Sequence, residues 1–358
     1  MKPLHIGNLS IPVPIIQGGM GVGISLSGMA SAVANEGGVG VISSAGLGML
    51  YREKGVSFLE ASVRGMKEEM RKVREKTRGI VGVNVMVAMS NFADMVRTAI
   101  AERVDIVFSG AGLPLDLPGF LTRNSETKLV PIVSSARAAK IICHKWKSNY
   151  NYLPDAIVVE GPKAGGHLGF KSEQLEDEHF SLEQLIPQVV DVVREYETDG
   201  QTPIPVIAAG GIYTGQDIAN FIELGAAGVQ MGTRFVTTDE CDASSEFKQV
   251  YLDSKKEDIE IIKSPVGMPG RAIGNAFLDK VKRGEKHPIR CPFKCIHTCD
   301  VSSSPYCIIS ALYSAFKGNF KGGYAFAGTN AYLSKKIISV KETFEQIRGE
   351  FRASGRFV

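Results

Sequence analysis

The chain lacks several things, and each absence closes off a class of protein. No apolar run approaches the ~20 residues a membrane-spanning helix needs. The opening Met1-Lys2-Pro3-Leu4-His5 has none of the apolar core of a signal peptide, so a cytoplasmic location is expected. Charge of either sign is scarce in excess: 41 Lys and Arg stand against 38 Asp and Glu, a formal +3. That is no clustered basic footprint for nucleic acid, and neither nucleic acid nor a membrane is expected as a partner. Six Cys in 358 residues cannot staple a disulfide scaffold. No G-x-G-x-x-G opens a helix, which argues against an open dinucleotide-binding sheet. Disorder is excluded by the 44% hydrophobic content. What the chain does have is glycine, 39 residues of it, well above the usual ~7%.

Short runs rich in Val and Ile alternate with helical patterns. The runs are Val13–Ile16, Val39–Ser43, Ile80–Val85, Asp105–Phe108, Leu129–Val133, Ala156–Val159, Pro205–Ala208 and Gly228–Met231. Helices are predicted over 25–35, 58–76, 91–103, 136–147, 182–196, 215–224 and 244–252, with only a short one after the fourth run. The runs are apolar almost throughout rather than alternating, the pattern of parallel strands buried on both faces. Eight such units in about 250 residues predict an α/β fold, a TIM-type (β/α)8 barrel with a smaller accessory C-terminal region. We place the barrel in residues 1–254, an accessory lid in 255–336 and a final helix packing on the barrel in 337–358. Val340, Phe344, Ile347 and Phe351 recur at helical spacing in that last segment.

Glycines cluster at the predicted carboxyl ends of the strands, where barrels carry their chemistry. They stand in Gln17-Gly18-Gly19-Met20-Gly21, Ala164-Gly165-Gly166-His167-Leu168-Gly169, Ala209-Gly210-Gly211-Ile212 and Met231-Gly232-Thr233. One such pair signals a tight turn; a set on one rim signals close approach to a ligand. Gly210 and Gly211, before a helix opening at Thr214-Gly215, and Gly232 with the Thr233 hydroxyl suit a phosphate after strands seven and eight. His167, flanked by glycines on that rim, is the candidate base, since a neutral imidazole can take a carbon-bound proton near neutral pH.

Together with Gly82-Val83-Asn84-Val85 and Gln230-Met231-Gly232-Thr233-Arg234-Phe235, these motifs resemble the nitronate monooxygenase (2-nitropropane dioxygenase) family, which shares its fold with the FMN-dependent enoyl-acyl-carrier-protein reductases. The resemblance covers residues 10 to about 280. It implies an FMN oxidoreductase, with phosphate at Gly210, Gly211, Gly232 and Thr233, and the flavin ring lined by Gly18, Gly19, Met20 and Asn84 with Gly166 and Gln230 nearby. His167 falls on the family's catalytic histidine. A nitronate monooxygenase makes a carbonyl compound and nitrite with oxygen; the alternative, an enoyl-thioester reductase, draws on NAD(P)H. A third reading is a non-catalytic flavin protein that senses redox state. The partner implied is a small molecule, with a homodimer left open. The family commonly has an acidic residue where this chain has Lys163. Ser264-Pro265-Val266-Gly267-Met268-Pro269-Gly270-Arg271, then Asn275, fits both branches.

Four of the six Cys fall within seventeen residues, as C-x3-C-x3-C-x7-C: Cys291, Cys295, Cys299 and Cys307. The spacing matches neither a zinc ribbon nor a ferredoxin run. Buried or incidental thiols are one expectation; a [4Fe–4S] cluster or Zn2+, with His297 able to replace a ligand, is the other.

Overall fold

Eight short strands pair side by side in the computed structural model, which describes residues 1–197, 203–285, 291 and 293–355. A hairpin comes first, β1 (Leu4–Ile6) and β2 (Leu9–Ile11). The parallel sheet then takes β3 (Ile15–Gln17), β4 (Gly40–Ser43), β5 (Val81–Met86), β6 (Ile106–Gly110), β7 (Lys128–Val133) and β8 (Ile157–Glu160). A two-residue strand, β9 (Gly166–His167), stands outside it; β10 (Val206–Ala209) and β11 (Gly228–Met231) complete it. The spatial order runs from β3 through β11, β10, β8, β7, β6 and β5 to β4. The two edges meet in a parallel bridge between Ile16 and Val39, so the sheet closes into the expected barrel.

Alternate residues of each strand serve two cores. Ile16, Val41, Phe108, Val158 and Ile207 fill the barrel interior, joined by Leu4, Ile6 and Ile11 of the hairpin. Ile15, Ile42, Val83, Val107, Val159 and Ala208 face the helices instead. This is why the strands read as unbroken apolar runs.

The helices are α1 (Ser27–Asn35), α2 (Leu47–Leu50), α3 (Phe58–Lys76), α4 (Phe92–Ala101), α5 (Ala136–Tyr150), α6 (Leu182–Arg194), α7 (Gly215–Glu223), α8 (Thr233–Val236) and α9 (Ser245–Asp253). After β6 there is only a single 3-10 turn, Leu117–Phe120. Local sequence sets the starts of several: Ser57 and Glu60 form a capping box on α3, and Ser135 caps α5. Asp242 substitutes for a cap on α1, its carboxylate accepting from the N–H groups of Leu26, Gly28 and Met29. Among the described residues no helix is long and apolar enough to cross a membrane.

Beyond α9 the rhythm stops. An antiparallel pair, β12 (Ile259–Lys263) and β13 (Pro269–Ile273), is followed by α10 (Ala276–Lys282) and α11 (Ile308–Phe316). The chain then returns to the barrel as α12 (Val340–Ala353), capped by a Ser339–Glu342 box. Val340, Phe344, Ile347 and Phe351 are all buried, as their spacing predicts. Arg234, just after β11, is buried at 6% exposure and forks onto both carboxylate oxygens of Glu350 at 3.0 Å, also donating to the Tyr213 carbonyl at 2.7 Å.

Phe344 has no exposed surface and packs on Phe235, ring centroids 5.9 Å apart. Phe344→Ala should therefore cost about 3–5 kcal/mol, as for other buried aromatics. Urea unfolding monitored by circular dichroism measures this; a loss below about 1 kcal/mol would show that α12 is not integral to the barrel.

Candidate active site

A cavity of about 460 Å3 opens at the carboxyl ends of the barrel strands. Gly18, Gly19 and Met20 follow β3 on its wall, Asn84 comes from β5, and Gly166 and His167 come from β9. Gly210 and Gly211 follow β10; Gln230 lies in β11, with Gly232 and Thr233 directly after it. Every flavin-site and catalytic residue expected from the sequence thus lines one space.

Close approach explains the glycines. A Cβ on Gly19 would lie 2.4 Å from the Cβ of Asn84, so a side chain there would displace Asn84. Gln17, fully buried, fixes the start of that loop: its side chain accepts from the Val41 N–H at 3.0 Å and donates to the Val41 carbonyl at 3.2 Å, across the barrel seam. Gly210 and Gly211 both adopt left-handed backbone, φ 95° and 82°, a turn at the cavity wall that glycine takes without strain.

One expected contributor is not offered. The first turn of α7 is already satisfied: Thr214 and Asp217 form a capping box, and the Gly215 N–H donates to Glu350 Oε2 at 2.7 Å. The N–H groups of Thr214, Gly215 and Asp217 are thus engaged within the protein and are not free for an anion. Thr233 Oγ1 accepts from the Gly328 N–H at 3.1 Å, which brings the segment around Ala327 and Gly328 to the same place. Lys163, where an acidic residue was expected, is exposed; its Nζ stands 4.0 Å from Glu183 at the start of α6.

The loop carrying His167 is more ordered than its glycines suggest. Gly166–His167 forms a strand against β13, with His167 opposite Gly270. The buried guanidinium of Arg271 donates to the carbonyls of Pro162 and Ala164, the latter at 2.7 Å. His167 Nε2 lies 2.7 Å from Ser264 Oγ, and the ring meets Phe326 edge to face at 5.0 Å. Burial pushes the imidazole down from 6.5 to about 4, so it is neutral across the physiological range. This is a correction to the expected near-neutral value: the imidazole is available to accept a proton but is a weaker base than an exposed histidine.

Residues the sequence did not single out complete the wall. Glu160, at the end of β8, faces the cavity. Enclosure by protein pushes its carboxyl up from 4.5 to about 7. Phe58, Ile308, Ile309, Leu312, Tyr324 and Phe326 make an apolar side. Ser264 lay within a noted motif; Glu160 and the aromatics carried no local signal, because their placement depends on the closed barrel and on the returning chain.

The cysteine expectation needs correcting as well. Among the described residues no three His, Cys, Asp or Glu side chains converge as a bound metal ion requires. Neither a [4Fe–4S] cluster nor Zn2+ at Cys291, Cys295, Cys299 and Cys307, with or without His297, is therefore supported. Cys295 is buried in the cavity wall beside Val22 and Ile309, while the other three are half-exposed.

Glu160 generates a pH prediction. A carboxyl raised in the folded state takes up its proton on folding between 4.5 and about 7, so its contribution is present at low pH and lost as pH climbs through that window. Glu160→Gln should abolish this loss, about 1.4 kcal/mol per pH unit at most. Urea unfolding of the flavin-free proteins at pH 5 and pH 8 tests it; the depressed His167, which acts in the opposite direction, is common to both and cancels. Parallel pH profiles for the two proteins would refute the enclosed carboxyl.

Comparison with known proteins bears on what such a cavity serves. The sequence matches the family model described as nitronate monooxygenase over residues 2–350. It is 29% identical over 313 residues to a probable nitronate monooxygenase of Staphylococcus aureus strain Newman, covering 77% of this chain and 79% of that one. The fold is similar to that of FabK from Thermotoga maritima, with TM-score 0.74, 27% identity and coverage of 96% and 94%. A nitroalkane oxidase from Streptomyces ansochromogenes shares the fold at TM-score 0.71 and 22% identity, covering 96% of this chain and 97% of that one. With a match spanning nearly its full length and a glycine-lined cavity where that family's motifs converge, the chain belongs to the nitronate monooxygenase family of oxidoreductases.

Proposed function

We propose that this protein is an FMN-dependent oxidoreductase of nitronate monooxygenase type, converting alkyl nitronates and oxygen to a carbonyl compound and nitrite. The observation that carries the reading is the convergence of the glycine rim, Asn84, Gln230 and His167 on a single cavity. The residues fit the cofactor. The left-handed Gly210-Gly211 turn and the Gly232-Thr233 turn would supply N–H donors for one phosphate. Gly18 and Gly19 leave backbone bare for a flat ring, and a side chain on Gly19 would collide with Asn84. FMN, when bound, supplies the two-electron redox chemistry.

The chain's own part is to bind, orient and move one proton. With a neutral nitroalkane, the α C–H bond breaks, its proton passes to the His167 imidazole, and the electron pair forms the C=N bond of the nitronate. The imidazolium is costly in this enclosed place, but the nitronate forms beside it as a counter-charge. Ser264 and Phe326 fix the ring, and Arg271 holds the backbone that presents it.

A second reading, NAD(P)H-dependent reduction of an enoyl thioester, is favoured by the apolar side formed by Ile308, Ile309 and Leu312 and by the likeness to FabK. Anaerobic titration separates the two: reduction of the protein by a nitronate supports the first, and reduction by NADH or NADPH alone supports the second. Response to neither would favour a flavin protein that does not turn over.

Two outcomes are expected. The purified protein should release FMN, identified by mass spectrometry; FAD, or no flavin after reconstitution, would overturn the reading. His167→Ala should keep FMN but lose ~10²–10⁴-fold in turnover of neutral nitroalkanes, the usual cost of removing a positioned base. A preformed nitronate, needing no deprotonation, should suffer much less; equal losses on both would make His167 a binding residue.

A further inference from the structure

The cavity has an apolar side that the proton chemistry above does not use. Val22 comes from the loop after β3, Phe58 opens α3, Cys295 and Ile296 belong to the segment between α10 and α11, and Ile309 and Leu312 lie on α11. These six pack as one hydrophobic cluster as well as lining the cavity. Ile296 is held there by a backbone bridge to Met89, itself in the cavity wall. Helix α11 is pressed onto the loop that carries Gly18 and Gly19: a Cβ added to Gly23 of that loop would come within 2.7 Å of the Phe316 ring. The apolar side therefore adjoins the Gly18-Gly19 end of the cavity.

A continuous apolar surface joins this side to the candidate base. The His167 ring meets Phe326 at 5.0 Å, and Phe326 meets Tyr324 edge to face at 5.2 Å. Tyr324 packs in one cluster with Ile308, the chain neighbour of Ile309. The polar groups along this surface are already taken: Tyr324 Oη accepts from Tyr306 Oη at 3.2 Å, and Tyr251 Oη donates to the Phe326 carbonyl at 2.5 Å. Among the described residues no Lys or Arg lines the cavity. A group lying here finds carbon to pack on and no fixed cation to pair with.

We propose, resting on the nitronate reading above, that the substrate carries an uncharged aliphatic tail of several carbons, laid from the reacting carbon at His167 along Phe326 and Tyr324 onto Ile309 and Leu312. Ile309 and Leu312 thereby select the substrate by the length and charge of its tail. Each methylene buried against carbon is worth about fourfold in affinity. The tail does not react, so its contacts are the same in the ground and transition states; they lower KM and leave kcat level. A tail ending in a carboxylate would lose its water without gaining a partner of opposite charge, and is disfavoured.

The test is steady-state kinetics of the FMN-loaded full chain on ethyl, butyl and hexyl nitronates, and on a butyl nitronate ending in a carboxylate. The expected result is a kcat/KM that rises about fourfold per methylene through KM alone, with the carboxylate costing about tenfold or more against its uncharged counterpart. Ile309→Trp, which fills the apolar side, should lower the hexyl-to-ethyl ratio of kcat/KM about tenfold. Should that variant fail to fold, Leu312→Lys at a half-buried position should shift preference toward the carboxylate tail by about tenfold. Calorimetric binding of hexanol and ethanol to the same protein reads the apolar side without turnover, and hexanol should bind far more tightly. If no nitronate is turned over yet hexanol is still preferred, the nitronate reading fails and the tail site stands. Equal affinity for the two alcohols, a kcat/KM indifferent to tail length or charge, or preferences that neither variant moves would overturn the proposal.

Discussion

A guanidinium cannot be buried without hydrogen-bond acceptors, and much of this site follows from where Arg271 finds its own. At 7% exposure it has left water, and it is satisfied by the carbonyls of Pro162 and Ala164. Those carbonyls belong to the loop after β8, whereas Arg271 belongs to β13. The same strand pairs β12 on one side and β9 on the other, and accepts the returning chain through Ile273 N–H to the Ala325 carbonyl and Ala327 N–H to the Arg271 carbonyl. The His167 loop, the Ser264 turn and the Phe326 wall are therefore positioned by one strand, β13. Burial lowers Arg271 only to about 10, so the clamp stays charged throughout the pH range in which the enzyme would work.

The barrel was legible because its information is local. Each of the eight apolar runs is a strand, and the long helices begin where Ser57, Ser135, Thr214, Ser244 and Ser339 cap them. The accessory region was not, because its structure is set by pairing between distant segments. Gly166-His167 reads as a loop until Pro269–Ile273 is placed beside it, and nothing in either segment announces the other. Glu160 is one more strand residue in sequence; only closure of the rim encloses its carboxyl.

The glycines divide into two uses that the sequence does not distinguish. Gly19 and Gly211 border the cavity, where a side chain would fill the cradle or displace its neighbours. Gly40 and Gly323 do not: an added Cβ would come within 1.8 Å of the Ala30 and Ala311 carbonyl oxygens respectively. There glycine lets a helix lie directly against neighbouring backbone. High glycine content in this chain thus reflects tight packing of layers as much as ligand binding, and only position on the rim tells them apart.

The clasp between Glu350 and Arg234 has a consequence for the order in which the site is made. Glu350 neutralises the cation behind the Gly232-Thr233 turn and also occupies the first N–H of α7, behind Gly210-Gly211. Both glycine turns proposed to hold the phosphate are therefore braced by a residue synthesised more than a hundred positions later. On the ribosome the barrel strands emerge first, but the cradle stays unbraced until α12 has followed. Retention of an anionic ligand by these turns would then be coupled to docking of α12.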